Sequence, residues 1–156
     1  MLESFDTPVE LLVAGDGDDR PDAIDAVENL GIAESVTFAG HVPHSELGDL
    51  YRCSDVVVVP SWYEGFGNVV VEAQACGVPV VGSAVGGIPS LLCEDRGVLV
   101  NPQRPGELSE AIQRVLTNEQ LARRLAERSR EFVKENHSLA VVRDSYLDFL
   151  HRLSRR

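Results

Sequence analysis

Five short runs of β-branched and apolar residues, set apart by helix-period segments and glycines, restrict the fold of this chain more than any other feature. They are residues 9–15 (VELLVAG), 35–40 (SVTFAG), 55–60 (DVVVVP), 78–83 (VPVVGS) and 97–100 (GVLV). Most are continuously apolar rather than alternating, the pattern of a strand covered on both faces. Helical patterns lie between them: residues 21–30, with Pro21 in the first turn and Gly31 past the end; residues 45–53, with Ser45 as the expected cap; and residues 68–76, capped by Asn68 and closed by Gly77. Strand and helix in alternation imply right-handed crossovers, so the expected class is α/β with a doubly wound parallel sheet.

From Pro105 onward the pattern is helix only. ELSEAIQRVL places Leu108, Ile112, Val115 and Leu116 on one face, and LARRLAERSREFV repeats the spacing with Leu121, Leu125 and Phe132. A last segment, residues 139–153, carries Val142, Tyr146, Phe149, Leu150 and Leu153. The clearest joint, NPQRP at residues 101–105, is too short for a domain boundary, so the 156 residues are expected to form one domain around one core.

A net charge of −11, from 25 acidic and 14 basic residues, repels nucleic acid phosphates and anionic lipids, which argues against general nucleic-acid or membrane-surface binding. Two explanations of the charge stand open: an ordinary acidic surface, or adaptation to a salt-rich cytoplasm. Cys53, Cys76 and Cys93 are widely spaced with no C-x-x-C pair, and read as small core residues of a reduced protein. No run approaches the roughly 20 apolar residues that span a bilayer, and the chain opens without a basic signal-peptide start, so the cytoplasm is the expected compartment.

The stretch SWYEGFGNVVVEAQACGVPVVGS sets two carboxylates, Glu64 and Glu72, in an apolar, glycine-rich passage with no Lys or Arg between them. A loop after a parallel strand lies where open α/β folds bind ligands, and the following helix start offers unpaired amides and a positive dipole end. Gly65 and Gly67 remove side chains that would obstruct an anion. Glu72, on the second helical turn among Val69, Val70, Val71 and Ala73, needs donors if buried, and the two vicinal hydroxyls of a ribose would supply them. The bland alternative is that Glu64 complements the helix dipole and Glu72 faces solvent.

E-G-F-G-x-x-x-x-E-A, followed by G-V-P-V-V and the Gly86–Gly87 pair, resembles the C-terminal nucleotide-sugar domain of glycosyltransferase family 4, of the GT-B fold. GDGD at residues 15–18, residues 38–61, residues 81–92, GVLVNP at residues 97–102 and the helical tail fall in family order, so the resemblance covers essentially the whole chain. It implies a Rossmann-like half of a GT-B enzyme that transfers a sugar from a nucleotide diphosphate sugar (UDP-, GDP- or ADP-linked) to an acceptor, with retention and no required metal or other cofactor. Carried over, Glu64 contacts the donor sugar and stabilises the transition state. Gly65, Phe66, Gly67 and Asn68 offer amides to the diphosphate and sugar, and Glu72 holds the ribose. Gly15 lies in the donor-binding GDGD turn, and the loop at Gly40, His41 and Val42 borders the base. His41 and His44 lack an Asp or Cys partner and read as loop residues, while Gly86 and Gly87 are either a ligand approach or a plain turn.

The family pattern is incomplete here. The Arg and Lys that the family carries near the start of this domain have no equivalent, Arg20 being the nearest basic residue, and Ser90 stands where the family commonly has Glu. A first strand–helix unit and an N-terminal acceptor-holding domain are also expected from the resemblance, so the chain reads as part of a larger transferase, inactive alone, with a bare sheet edge prone to association. The acceptor (a sugar, lipid or protein glycan) would be held by that other domain, and peripheral membrane contact of the full enzyme is compatible with the resemblance but not indicated here. The competing expectation is a non-catalytic module that binds a nucleotide sugar; a weaker one is another GT-B enzyme such as a nucleotide-sugar epimerase.

Overall fold

The structure, a computed structural model, describes residues 8–154 and divides into two compact units, Met1–Leu47 and Gly48–Arg156. In the first, β1 (Leu11–Ala14) and β2 (Val36–Gly40) pair in parallel, Leu11 opposite Val36 and Val13 opposite Phe38. Their crossover is α1 (Arg20–Asn29) with a 3-10 turn at Ala33–Ser35. Pro21 sits in the first turn of α1, and Gly31 follows its end in the left-handed region. Along both strands half-buried and exposed residues alternate, so the coverage of both faces expected from their apolar spelling is absent. No described residue of this unit is fully buried.

The second unit holds the core. Its strands β3 (Val57–Val59), β4 (Val80–Ser83) and β5 (Val98–Val100) are parallel, in the order β3-β4-β5. Among the described residues the five strands thus form two hydrogen-bonded sheets, and the α/β class with parallel pairing holds in both. Every residue of β4 is buried, as a continuous apolar run between covering layers requires. Three helices pack on β4: α3 (Asn68–Ala75), α4 (Ile88–Leu92) and α5 (Pro105–Thr117). Val70, Ala73, Val80, Val81 and Ile88 are fully enclosed, each larger side chain contributing about 1.5–3 kcal/mol by leaving water.

The tail is helical, as its spacing predicts. Helix α5 buries Ala111, Ile112 and Val115, with Leu108 and Leu116 half-buried. Helix α6 (Glu119–Asn136) buries Leu125, Ser129 and Val133 and packs against α3 and α5. The side chain of Asn118 caps it by accepting the Leu121 amide at 2.9 Å. The arginines of α6 lie on a solvated face, but only Arg123 pairs within the helix, with Glu119; Arg124 and Arg128 approach Asp95 in the turn after α4. Helix α7 (Leu139–Leu153) buries nothing: Val142, Tyr146, Phe149, Leu150 and Leu153 are 46–68% exposed.

Two local expectations are corrected. Helix α2 (His44–Arg52) starts one residue before Ser45, because the Pro43 carbonyl already accepts the Glu46 amide, so Ser45 lies inside the first turn and is no cap. The cysteines are not core residues: Cys53 is exposed, and Cys76 and Cys93 are half-buried free thiols at the carboxyl ends of α3 and α4. Their neighbours explain the placement, since chain that is leaving a helix turns toward the surface. Among the described residues no helix is long and apolar enough to cross a membrane.

Candidate functional site

The passage from β3 to α3 carries both acidic residues. Chain leaves β3 at Pro60, crosses a loop at residues 61–67 and enters α3 at Asn68. Gly67, not Asn68, is the N-cap; its φ of 100° lies in the left-handed region, and Asn68 is the first helical residue. No side chain caps this helix from the N-cap position. The expected Asn68 cap fails because the glycine makes the turn one residue earlier. Glu64 supplies part of what a cap would: its Oε1 accepts the Gly67 amide at 3.2 Å. The Gly67 carbonyl accepts the Val71 amide, so the N–H groups of Asn68, Val69 and Val70 have no acceptor within the helix. Glu64 is half-buried, while Gly65 and Phe66 are exposed at the surface of this loop.

A second glycine pair supports this loop. The turn after β4 places Gly86 and Gly87 against its backbone: a Cβ on Gly86 would overlap the Glu64 carbonyl, and one on Gly87 would stand 2.5 Å from the Phe66 carbonyl oxygen. Gly86 also has a left-handed φ of 52°. Their role is therefore close backbone approach, which fixes where the Glu64 loop runs. Ser90, in α4, turns its hydroxyl back to donate to the Gly87 carbonyl at 2.7 Å.

Glu72 lies on the second turn of α3, half-buried. Its Oε2 accepts a 2.9 Å hydrogen bond from the Tyr51 hydroxyl on α2. Tyr51 is only 8% exposed. The pKa of its phenol is pushed well above the ordinary range, first by burial, then by the hydrogen bond to Glu72 and by the nearby negative charge of Glu72. Sequence reasoning did not identify Tyr51. The available signal was a phenol on the apolar side of the preceding helix, the kind of donor a half-buried carboxylate requires. Further along α3, Gln74 is completely buried, and its Nε2 donates to the carbonyls of Leu91 and Arg96, both at 3.1 Å. This also went unread in the sequence.

Gly15, Gly40, His41 and Val42 belong to the first unit, at the carboxyl ends of β1 and β2. The Gly15 amide donates to the Gly40 carbonyl at 2.8 Å, tying the two turns together. Both glycines have positive φ, His41 is exposed and Val42 half-buried. In the second unit the structure brings together Glu64, Gly65, Phe66, Gly67 and Asn68 in one turn, with Glu72 one helical turn further on. Trp62 and Tyr63, 73% and 89% exposed, flank this turn and had no assigned part in the motif. Among the described residues no group of three or more His, Cys, Asp or Glu is arranged to hold a metal ion.

Comparison with known proteins shows which family the chain belongs to. The chain is 45% identical over 105 residues to a D-inositol 3-phosphate glycosyltransferase of Mycobacteroides abscessus, a match covering 66% of this chain and 24% of that protein. A sucrose-phosphate synthase from Thermosynechococcus elongatus superposes with a TM-score of 0.86 at 34% identity, over 94% of this chain and 39% of that one. HepE of Anabaena, solved in complex with UDP and glucose, shares the fold with a TM-score of 0.81 at 24% identity, over 92% of this chain and 41% of that one. The chain spans 24–33% of the length of the Mycobacteroides abscessus protein and three other curated relatives that it matches. Residues 2–132 match the family Glycosyl transferases group 1, and the chain, a GT-B-type α/β structure, belongs to that family.

Proposed function

We propose that this chain is the donor-binding part of a retaining glycosyltransferase that moves a sugar from a nucleoside diphosphate sugar to an acceptor. The observation that carries the proposal is the α3 entrance: the amides of Asn68, Val69 and Val70, which have no acceptor within the helix, stand between Glu64 on the preceding loop and Glu72 on the next turn. Amides at a helix start suit a diphosphate, and carboxylates suit hydroxyls rather than a second anion. Glu72 takes the ribose hydroxyls. Glu64, next to the exposed Gly65, reaches the donor sugar and stabilises charge developing at its anomeric carbon. Gly65, Phe66, Gly67 and Asn68 line the diphosphate, and Gly15, Gly40, His41 and Val42 border the base. The complexes of HepE with UDP, with UDP and glucose, and with UDP-glucose support a uridine donor among the candidate bases.

Activity of the whole enzyme requires an acceptor site, and the acceptor class is a sugar, a lipid or a protein glycan. No metal or other cofactor enters this reading, because the leaving diphosphate is met by helix amides. Residence is cytoplasmic, where nucleotide sugars are made, and the acidic surface fits a salt-rich interior; a folding midpoint that does not rise with salt would remove the latter. The deciding experiment is titration with UDP-, GDP- and ADP-sugars, repeated with Glu72→Ala. Nucleotide-dependent affinity that falls at least tenfold in the variant is the expected result. Unchanged affinity would remove Glu72 from the site, and absence of binding to any of the three donors would remove the donor function.

A further inference from the structure

The hydrogen bond between Tyr51 and Glu72 joins the second half of α2 to the second turn of α3, and the phenol is almost entirely enclosed. A glutamate side chain rotates about three bonds, and a carboxylate that is to meet two neighbouring hydroxyls must have both its position and its plane defined. Holding one oxygen beforehand removes part of the ordering cost that ligand binding would otherwise bear. One phenolic donor occupies a small part of the capacity of a carboxylate, whose two oxygens accept at about four lone-pair sites. The bond to Tyr51 therefore holds Oε2 of Glu72 while using one of those sites.

We propose that Tyr51 is a positioning residue for nucleotide binding: its buried hydroxyl holds the Glu72 carboxylate in the orientation that receives the ribose hydroxyls. The inference rests on the donor-binding reading above. Tyr51 itself touches no ligand; it acts through Glu72. The helix contact does not depend on the hydroxyl alone, because the Cys76 thiol also faces the Gly48 carbonyl of α2 at 3.9 Å. Glu72 is half-buried, so water can replace the lost donor when the hydroxyl is removed.

The test is calorimetric titration of the chain with UDP and with 2′,3′-dideoxy-UDP, which lacks both hydroxyls. Wild type, Tyr51→Phe, Glu72→Ala and the double variant are compared. Tyr51→Phe is expected to weaken UDP about three- to tenfold, to leave dideoxy-UDP unchanged, and to add nothing in the Glu72→Ala background. Equal weakening of both ligands, no weakening of UDP, or loss of the fold in Tyr51→Phe would each overturn the proposal and assign the hydroxyl a structural role at most. If Glu72→Ala keeps the preference for UDP over dideoxy-UDP, the ribose reading itself fails. If Glu72→Ala abolishes that preference while Tyr51→Phe retains it in full, only the positioning role fails.

Discussion

The Glu64 carbonyl occupies the space that a side chain on Gly86 would need. Two loops that follow neighbouring parallel strands, β3 and β4, are thereby pressed backbone to backbone, and the position of the acidic loop is set by the absence of a single methyl group. Gly86→Ala has to displace one loop and also hold alanine at a left-handed φ. The expected cost is about 2–4 kcal/mol of folding stability, read as a lower urea midpoint, together with loss of UDP-sugar affinity.

Gly65→Ala provides the contrast. A Cβ there meets nothing within 4 Å. Stability is expected to stay within about 0.5 kcal/mol of wild type in urea unfolding. If the diphosphate lies against this turn, the added methyl stands in its path, and UDP affinity should fall by roughly tenfold in the same preparation.

Gln74→Ala tests the polar contact behind the site. The amide serves two carbonyls, and while Leu91 keeps a donor in Arg96 Nε at 3.2 Å, the Arg96 carbonyl loses its side-chain donor. A cavity opens at the same place. Together these are expected to cost about 2–4 kcal/mol in equilibrium unfolding.

Tyr51 also makes a prediction about alkaline pH. The folded state holds the phenolic proton more tightly than the unfolded chain does, because burial, the Glu72 bond and neighbouring negative charge all oppose its loss. The group's contribution is therefore complete below the ordinary phenol value of 10.0 and is lost as pH rises above it toward the folded value. Unfolding midpoints measured from about pH 9 to about pH 11.5 should fall, and Tyr51→Phe should reduce the slope.

Much of this was legible from residue pattern. The run at β4 was continuous because that strand is covered on both faces, although Leu99 of β5 is exposed, and the spacing in α5 and α6 pointed to residues that pack. The acid–glycine–acid passage was also plain, since a strand–loop–helix with glycines just before the helix has few other geometries. What escaped notice depended on distance in sequence. Tyr51 is 21 residues from Glu72, and Gln74 is 17 and 22 residues from its two carbonyls, so no local rule connects them. Ser45 and Asn68 fit local cap preferences, but Pro43 and Gly67 had already begun the turns. Cys53, Cys76 and Cys93 matched the average burial of cysteine, yet each falls where a helix gives way to surface chain.

Helix α7 contributes no enclosed side chain, whereas the acidic loop departs from a strand paired to the fully enclosed β4. Under limited proteolysis the tail should be shortened long before the loop is cut. The loop on which the proposed donor site rests can therefore outlast the loss of α7, and trimmed material remains a fair sample in which to test nucleotide binding.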